Sequence, residues 1–312
     1  MNRPVAVIDC GTNTIRLLIT HSDGRGGLSE IDRRTRIVRL GQGVDATGEF
    51  HPEALARTFA VAEEYAAVIT EHRIPVDRIR FVATSATRDV RNRDEFLAGI
   101  RQRLGVTPEV ITGDQEAALS FAGALSGADD PRSPTLVTDI GGGSTELIIG
   151  DASGHPDHAV SLDIGSVRLT ERFLTSDPPS TDDLGRATAY VDRLLDDEPI
   201  DWPAVRTWIG VAGTLTTLAA VDLELTEYDR SKVHGHRIGL DDLASITRRL
   251  AGLSADQIRA LGTVHPQRAD VITAGALIAT RIADRLTVSE LIVSESDILD
   301  GAALELIGRS GS

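Results

Sequence analysis

Residues 6–19, AVIDCGTNTIRLLI, lie without a gap over residues 136–149, LVTDIGGGSTELII. In that register Asp9 meets Asp139, Gly11 meets Gly141, Leu17 meets Leu147 and Ile19 meets Ile149. Each copy reads as an apolar strand, a glycine-bearing turn and a second strand. Short apolar strands resemble one another by chance, whereas a shared acid, glycine and following strand in one register point to duplication. The chain has 312 residues, more than the roughly 250–300 at which a single core stops growing. Two similar domains facing a cleft are therefore expected.

The intervening segments alternate strand and helix. After the arginine-rich strand RRTRIVRL, residues 53–70 carry Leu55, Phe59, Ala62, Ala66 and Ile69 at helical spacing. IRFVATSA is a strand, a helix from near Asn92 turns Phe96, Leu97, Ile100 and Leu104 inward, and EVIT leads into the helix of GDQEAALSFAGAL. Beyond the second hairpin come strand, loop and helix in WIGVAGTLTTLAA, a long apolar helix in ADVITAGALIATRIADRL, the strand LIV and a terminal helix from about Ile298. This is the α/β pattern. No apolar run approaches the ~20 residues of a membrane span, and the N-terminus lacks a signal-peptide pattern, so a cytoplasmic protein with no membrane partner is expected. The single cysteine, Cys10, lies in an apolar strand end and reads as structural. A formal charge of −15 argues against nonspecific nucleic-acid binding, which rests on Lys and Arg neutralising backbone phosphates. Screening over ~8 Å still leaves a local site free to hold an anion.

The second hairpin carries the chemistry. With its turn centred on Gly142-Gly143, Asp139 and Glu146 stand opposite each other on one face, Cβ atoms about 4.5–5.5 Å apart, where like charges are destabilising. A bound Mg²⁺ offsets that repulsion, because it takes one or two carboxylates and completes its shell with water and substrate phosphate. Gly141, Gly142 and Gly143 let backbone N–H groups approach phosphate oxygens, and Ser144 and Thr145 add hydroxyls. A tight hairpin with two solvated acids is the bland alternative, and the duplicated partner favours function over it. In the first copy Asp9 is kept while Arg16 stands where Glu146 would be. That loop, Gly11, Thr12, Asn13 and Thr14, is expected to grip phosphate with less hold on a metal, although Asn and Thr are also ordinary turn residues.

Other candidates are scattered. Asp114 is a plausible helix N-cap that puts Glu116 in the first turn, where the macrodipole favours a carboxylate. Glu116 there suits a base acting on water, or is a plain helix-start acid. Arg88, just past a strand end, is placed to neutralise a phosphoryl group. Arg33, Arg34, Arg36 and Arg39 either extend a basic track or are solvated arginines of an edge strand. Gly213 and Thr214 offer a helix N-terminus to phosphate, with Thr214 equally an ordinary cap. His234 and His236 lack a supporting cluster and read as structural.

Taken in order, AVIDCGTNTIRLLI, ATSATRDVRNRDEF, ITGDQEA, DIGGGSTELIIG, GVAGTLTTLA and RADVITAGALI closely resemble the exopolyphosphatase / guanosine pentaphosphate phosphohydrolase (Ppx/GppA) family, in its short two-domain actinobacterial form. The resemblance implies an α/β fold of two ribonuclease-H-like domains of the actin-like ATPase (sugar kinase/Hsp70/actin) superfamily around a central cleft. The first domain is expected over 1–121, completed by the C-terminal helix 301–312, and the second over 122–300. Carried over by motif, Glu116 is the catalytic base, and Asp139 and Glu146 are the metal pair for Mg²⁺ or Mn²⁺. Gly141, Gly142, Gly143 and Ser144 form one phosphate loop and Asp9, Thr12, Asn13 and Thr14 the other, with Arg88 on phosphate. Gln115 departs from the second acid that many relatives carry, and the C-terminal HD-like helical domain of longer members is lacking.

The expected reaction is Mg²⁺-dependent hydrolysis of the terminal phosphoanhydride of inorganic polyphosphate, with hydrolysis of guanosine pentaphosphate (pppGpp) as the nearest alternative. A small-molecule kinase lacks an acceptor-pocket motif, and the intact Glu116, Asp139 and Glu146 argue against a noncatalytic polyphosphate or alarmone sensor. A homodimer is the state the resemblance implies.

Overall fold

The computed structural model describes residues 3–309 except 13, 25, 26, 43, 89, 129, 152, 153 and 155. The chain divides into two compact units, Met1–Ser126 with Ile298–Ser312, and Gly127–Asp297.

The first unit holds a five-stranded sheet in the order β3-β2-β1-β4-β5, from Val5–Cys10 (β1), Thr14–Ser22 (β2), Leu28–Ile37 (β3), Ile79–Ala83 (β4) and Glu109–Val110 (β5). β1 pairs antiparallel with β2 and parallel with β4. Every residue of β1 is buried, because helices cover both faces, and the period of two distributes its side chains between them. Ala6, Ile8 and Cys10 join Ile15, Leu17, Tyr65, Phe81, Phe96 and Ile100 on the side of the Pro52–Glu71 and Arg93–Leu104 helices. Val5 and Val7 join Leu18, Val82, Leu119, Leu299, Ala302 and Ala303 on the side of the Gly113–Ser126 and Ile298–Arg309 helices. Burial, and secondarily the Asp9 charge, pushes the Cys10 thiol well up, which suits a packing role over a reactive one.

The second unit repeats this plan. Its sheet, β8-β7-β6-β9-β11-β10, is built from Thr135–Ile140 (β6), Thr145–Gly150 (β7), Pro156–Leu162 (β8), Thr207–Val211 (β9), Arg237–Gly239 (β10) and Glu290–Val293 (β11). Read from β8 to β11, strand order and direction match the first sheet: an antiparallel three-strand meander, then parallel partners. β10 is an added antiparallel edge. Both units are ribonuclease-H-like. One face is packed by Leu136, Leu147, Trp208, Leu215, Val191, Leu243 and Ile278, and the buried indole N–H of Trp208 donates to Thr138 Oγ1 at 3.0 Å. Among the described residues no helix is long and apolar enough to cross a membrane.

The terminal helix is tied into the first unit at several points, among them Arg80 Nη1 donating to Glu305 Oε2 at 2.7 Å. A Cβ on Gly301 would stand 1.9 Å from Leu119 O, so the Gly113–Ser126 and Ile298–Arg309 helices touch backbone to backbone there. Arg33 on β3 donates to both oxygens of buried Asp300 at 2.8 Å. Arg34 and Arg36 are likewise engaged, by Asp32 and Glu64. The alternative of a basic track along β3 is thereby corrected for these three: their guanidinium groups serve carboxylates of the same unit. Substituting Gly301→Ala is expected to lower stability by about 1–3 kcal/mol through overpacking. Thermal unfolding of the purified variant against wild type measures it, and an unchanged midpoint would contradict the close approach.

Candidate functional site

In each unit the predicted residues collect at the C-terminal ends of the parallel strands, where α/β sheets hold their ligands. The two hairpin turns are closed identically. Gly11 N donates to Thr14 O and Gly141 N donates to Ser144 O, both at 3.0 Å. This sets Asp9 opposite Arg16 and Asp139 opposite Glu146, so each facing pair shares one side of its sheet. The first copy resolves the pairing internally: Arg16 donates to Asp9 Oδ2 from Nε at 3.0 Å and from Nη2 at 2.6 Å. The second sets two carboxylates face to face, with Glu146 Oε1 accepting from Ser161 Oγ at 2.7 Å.

The glycine loop of the second unit is held from behind. Gly141 O accepts from Ser166 N at 2.9 Å, and Gly142 O accepts from Val167 N at 2.9 Å and Arg168 N at 3.0 Å. Those donors open the Ser166–Phe173 helix. Two effects follow. The orphan amides of that helix end are satisfied, and the loop carbonyls are committed backwards, while among the described residues no backbone acceptor takes the N–H groups of Gly142, Gly143 and Ser144. Gly165 makes the contact feasible, since a Cβ there would lie 2.4 Å from Gly142 C and O. The first unit uses the same device: Gly41 N donates to Thr12 O at 2.8 Å, and a Cβ on Gly41 would stand 2.3 Å from the Thr12 methyl. Asn13 lies outside the described residues.

Gly213 and Thr214 lie close by in the second unit. β9 runs parallel to β6 with Val211 beside Asp139, and the chain then enters the Ala212–Asp222 helix through Ala212 at φ 64°. A non-glycine residue held left-handed is strained, and such residues cluster at functional sites. Thr214 is not the cap. Val211 occupies that position without a side-chain acceptor, and buried Thr214 turns its methyl toward Gly275. Gly213 O accepts from Arg268 Nη1 and Thr217 Oγ1, each at 2.6 Å.

In the first unit Glu116 and Arg88 meet. β4 is followed by the short Ser85–Arg88 helix, and β5 by the Gly113–Ser126 helix. Arg88 Nη2 contacts Glu116 Oε2 directly, and its Nε donates to Ile111 O at 3.0 Å. Asp114 does not cap this helix. Thr112 does, its Oγ1 accepting from Gln115 N at 3.2 Å while Gln115 Oε1 accepts from Thr112 N at 3.0 Å. This reciprocal capping box accounts for the amide at Gln115. Both histidines have partners in the fold: His234 Nδ1 accepts from Glu295 N at 3.1 Å, and His236 Nε2 lies 2.7 Å from Asp222 Oδ2.

Among the described residues no group of three or more His, Cys, Asp or Glu forms a metal cage. Two facing carboxylates beside unspent amides suit a hard cation that keeps water and phosphate oxygens in its shell, which is the habit of Mg²⁺ and not of structural Zn²⁺. A separate cavity of about 590 Å³, lined by Arg132, Arg206, Arg237, Trp208 and Glu290 among others, sits at the N-terminal ends of β9 and β11. That is the opposite end of the sheet from the glycine loop.

The model of the Ppx/GppA phosphatase family matches residues 18–309. The chain belongs to that family. Exopolyphosphatase 2 of Mycobacterium tuberculosis is 46% identical to it over 97% of this chain and 98% of that protein. The crystal structure of the Aquifex aeolicus Ppx/GppA family member matches at 31% identity with a TM-score of 0.90, covering 100% of both chains. An exopolyphosphatase from Cytophaga hutchinsonii matches at 27% identity with a TM-score of 0.79, covering 98% of each. Family membership makes the chain a phosphoanhydride hydrolase with the two-domain actin-like fold described above. Gly41, Gly165, Ser166 and Arg168 were not anticipated from the sequence. The one signal was a second Asp-Ile-Gly, at 163–165, repeating that of 139–141.

Replacing Gly165 by alanine is expected to push the glycine loop off its helix and to destabilise the protein by about 1–3 kcal/mol. Denaturant unfolding checks this. A variant as stable as wild type would show that the loop does not need the contact.

Proposed function

We propose that the chain hydrolyses the terminal phosphoanhydride of inorganic polyphosphate and releases orthophosphate. The observation that carries the reading is the second hairpin: Asp139 and Glu146 in register beside a loop whose Gly142, Gly143 and Ser144 amides are unspent. The resemblance to the mycobacterial exopolyphosphatase over nearly the whole chain supports it.

The roles follow from donor chemistry. The amides of Gly142, Gly143 and Ser144 bind oxygens of the terminal phosphoryl group, and the hydroxyl of Ser144 adds a donor. In the first unit Gly11, Thr12 and Thr14 present the matching turn, while Asp9 holds Arg16 beside it. Gly213 and Thr214 add first-turn amides at a helix start that has no side-chain cap. Asp139 and Glu146 would hold Mg²⁺, which when bound supplies positive charge to the phosphoryl oxygens. Glu116 accepts a proton from the attacking water as the new P–O bond forms and the bridging P–O bond breaks. The shortened chain leaves as the anion, and no phosphoenzyme is needed. Arg88, in contact with Glu116, orients the carboxylate and offers its guanidinium to phosphate.

Glu116→Gln, which keeps shape and removes the basic oxygen, is expected to cut kcat for phosphate release by about 10²–10⁴-fold. A rate equal to wild type would remove Glu116 from the chemistry. Chelation of divalent ions is expected to abolish turnover and Mg²⁺ to restore it, with Asp139→Asn and Glu146→Gln raising the Mg²⁺ concentration required. Activity indifferent to chelator would remove the metal role. Guanosine pentaphosphate presents the same terminal anhydride, and comparing kcat/KM for it, for ATP and for polyphosphates of several lengths identifies the preferred substrate.

A further inference from the structure

We propose that Arg168 is a substrate contact of the glycine loop, its guanidinium leaving Asp163 for an oxygen of the phosphate bound at Gly142–Ser144. The inference rests on the function proposed above and adds a residue that no sequence motif marked.

Three observations place it there. Arg168 N donates to Gly142 O at 3.0 Å, so its backbone is locked to the loop. Its Nη2 stands 3.8 Å from where a Cβ on Gly143 would lie, beside the residue whose amide is unspent. Its present partner is weakly bound. Arg168 Nη1 lies 2.5 Å from Asp163 Oδ1, but the Asp163 side chain is 81% exposed, and an ion pair to so exposed an acid contributes little net stability. A phosphate offers the guanidinium a bidentate, more highly charged partner, so exchange from Asp163 to substrate is downhill. Arg268, the other guanidinium near the predicted loops of this unit, is committed to Gly213 O and Thr217 Oγ1.

Asp163 then acts as a parking place, holding the side chain extended beside the loop until an anion arrives. A purely structural ion pair predicts that removing either partner has the same effect. A substrate contact predicts asymmetry.

The test compares wild type, Arg168→Gln, Arg168→Lys and Asp163→Asn in steady-state phosphate release from polyphosphate and in calorimetric titration with inorganic tripolyphosphate, with thermal unfolding confirming that each is folded. Arg168→Gln is expected to raise KM by about 10-fold or more, with kcat falling less. Arg168→Lys should fall between, and Asp163→Asn should leave KM unchanged or lower it. Equal effects of Arg168→Gln and Asp163→Asn, or a KM within about twofold of wild type in folded Arg168→Gln, overturn the proposal while polyphosphate hydrolysis itself stands. A wild type that binds tripolyphosphate without hydrolysing polyphosphate, with binding lost in Arg168→Gln, overturns the proposed reaction and keeps Arg168 as an anion contact. A wild type that neither binds nor hydrolyses overturns both.

Discussion

A hydrogen bond from a glycine amide to the carbonyl three residues on, made once by Gly11 and once by Gly141, sets the terms for the rest of the candidate site. Because it closes the turn over a fixed number of residues, the position two before the glycine must face the position two after its acceptor, and a one-residue slip would send both side chains to the other face. The opposition of Asp139 and Glu146 is thus a consequence of turn geometry, as is that of Asp9 and Arg16. The second constraint is carbonyl commitment. A glycine loop has as many acceptors as donors, and it presents an anion-binding surface only when its C=O groups are turned away. Ser166, Val167 and Arg168 take them in one unit, and Gly41 takes Thr12 O in the other.

The two copies show how one scaffold diverges by a single charge. With arginine across from Asp9, the pair is neutral overall and closes on itself through Asp9 Oδ2 at 2.6 Å. With glutamate across from Asp139, the same geometry brings two acids together at a spacing where like charges repel. Folding such a pair costs stability unless something else gains from it. The proposed cation and phosphate supply that gain at the moment of binding, when the repulsion is relieved.

How much of this the sequence discloses varies with range. The hairpins and their shared register were legible because periodicity and one turn fix them locally, and the helices over 52–71 and 93–104 because apolar residues recur at 3.6. β8 and β10 were not, one carrying Asp157 and His158 on a half-exposed edge and the other three residues long. The Thr112–Gln115 cap was in plain view as a Thr-x-x-Gln spacing, yet Asp114 drew attention as an acid beside a helix start. Gly165 and Gly41 were beyond reach for a different reason. Their need for a missing Cβ arises from a neighbour 23 and 29 residues away in sequence, Gly142 and Thr12, and apart from the repeated Asp-Ile-Gly at 163–165 local pattern carries no trace of it. Arg33, which reads as a solvated edge arginine, meets Asp300 at the far end of the chain.

Those arginines bear on how a chain of charge −15 could take a polyanion at all. Guanidinium groups are plentiful, but Arg16, Arg33, Arg34, Arg36, Arg80 and Arg88 all contact carboxylates. Their long-range field is largely cancelled, and what remains is screened within about 8 Å at physiological salt. Attraction of substrate from a distance is therefore not the means. On the proposed reading, affinity comes from contact: backbone amides whose partial charges need no counter-ion, a cation that the two acids would hold, and a guanidinium that would leave an exposed partner. Each of these is effective only once water is displaced and the anion is seated, which makes recognition depend on the fit of a phosphoryl group to the loop and not on the charge of the protein as a whole.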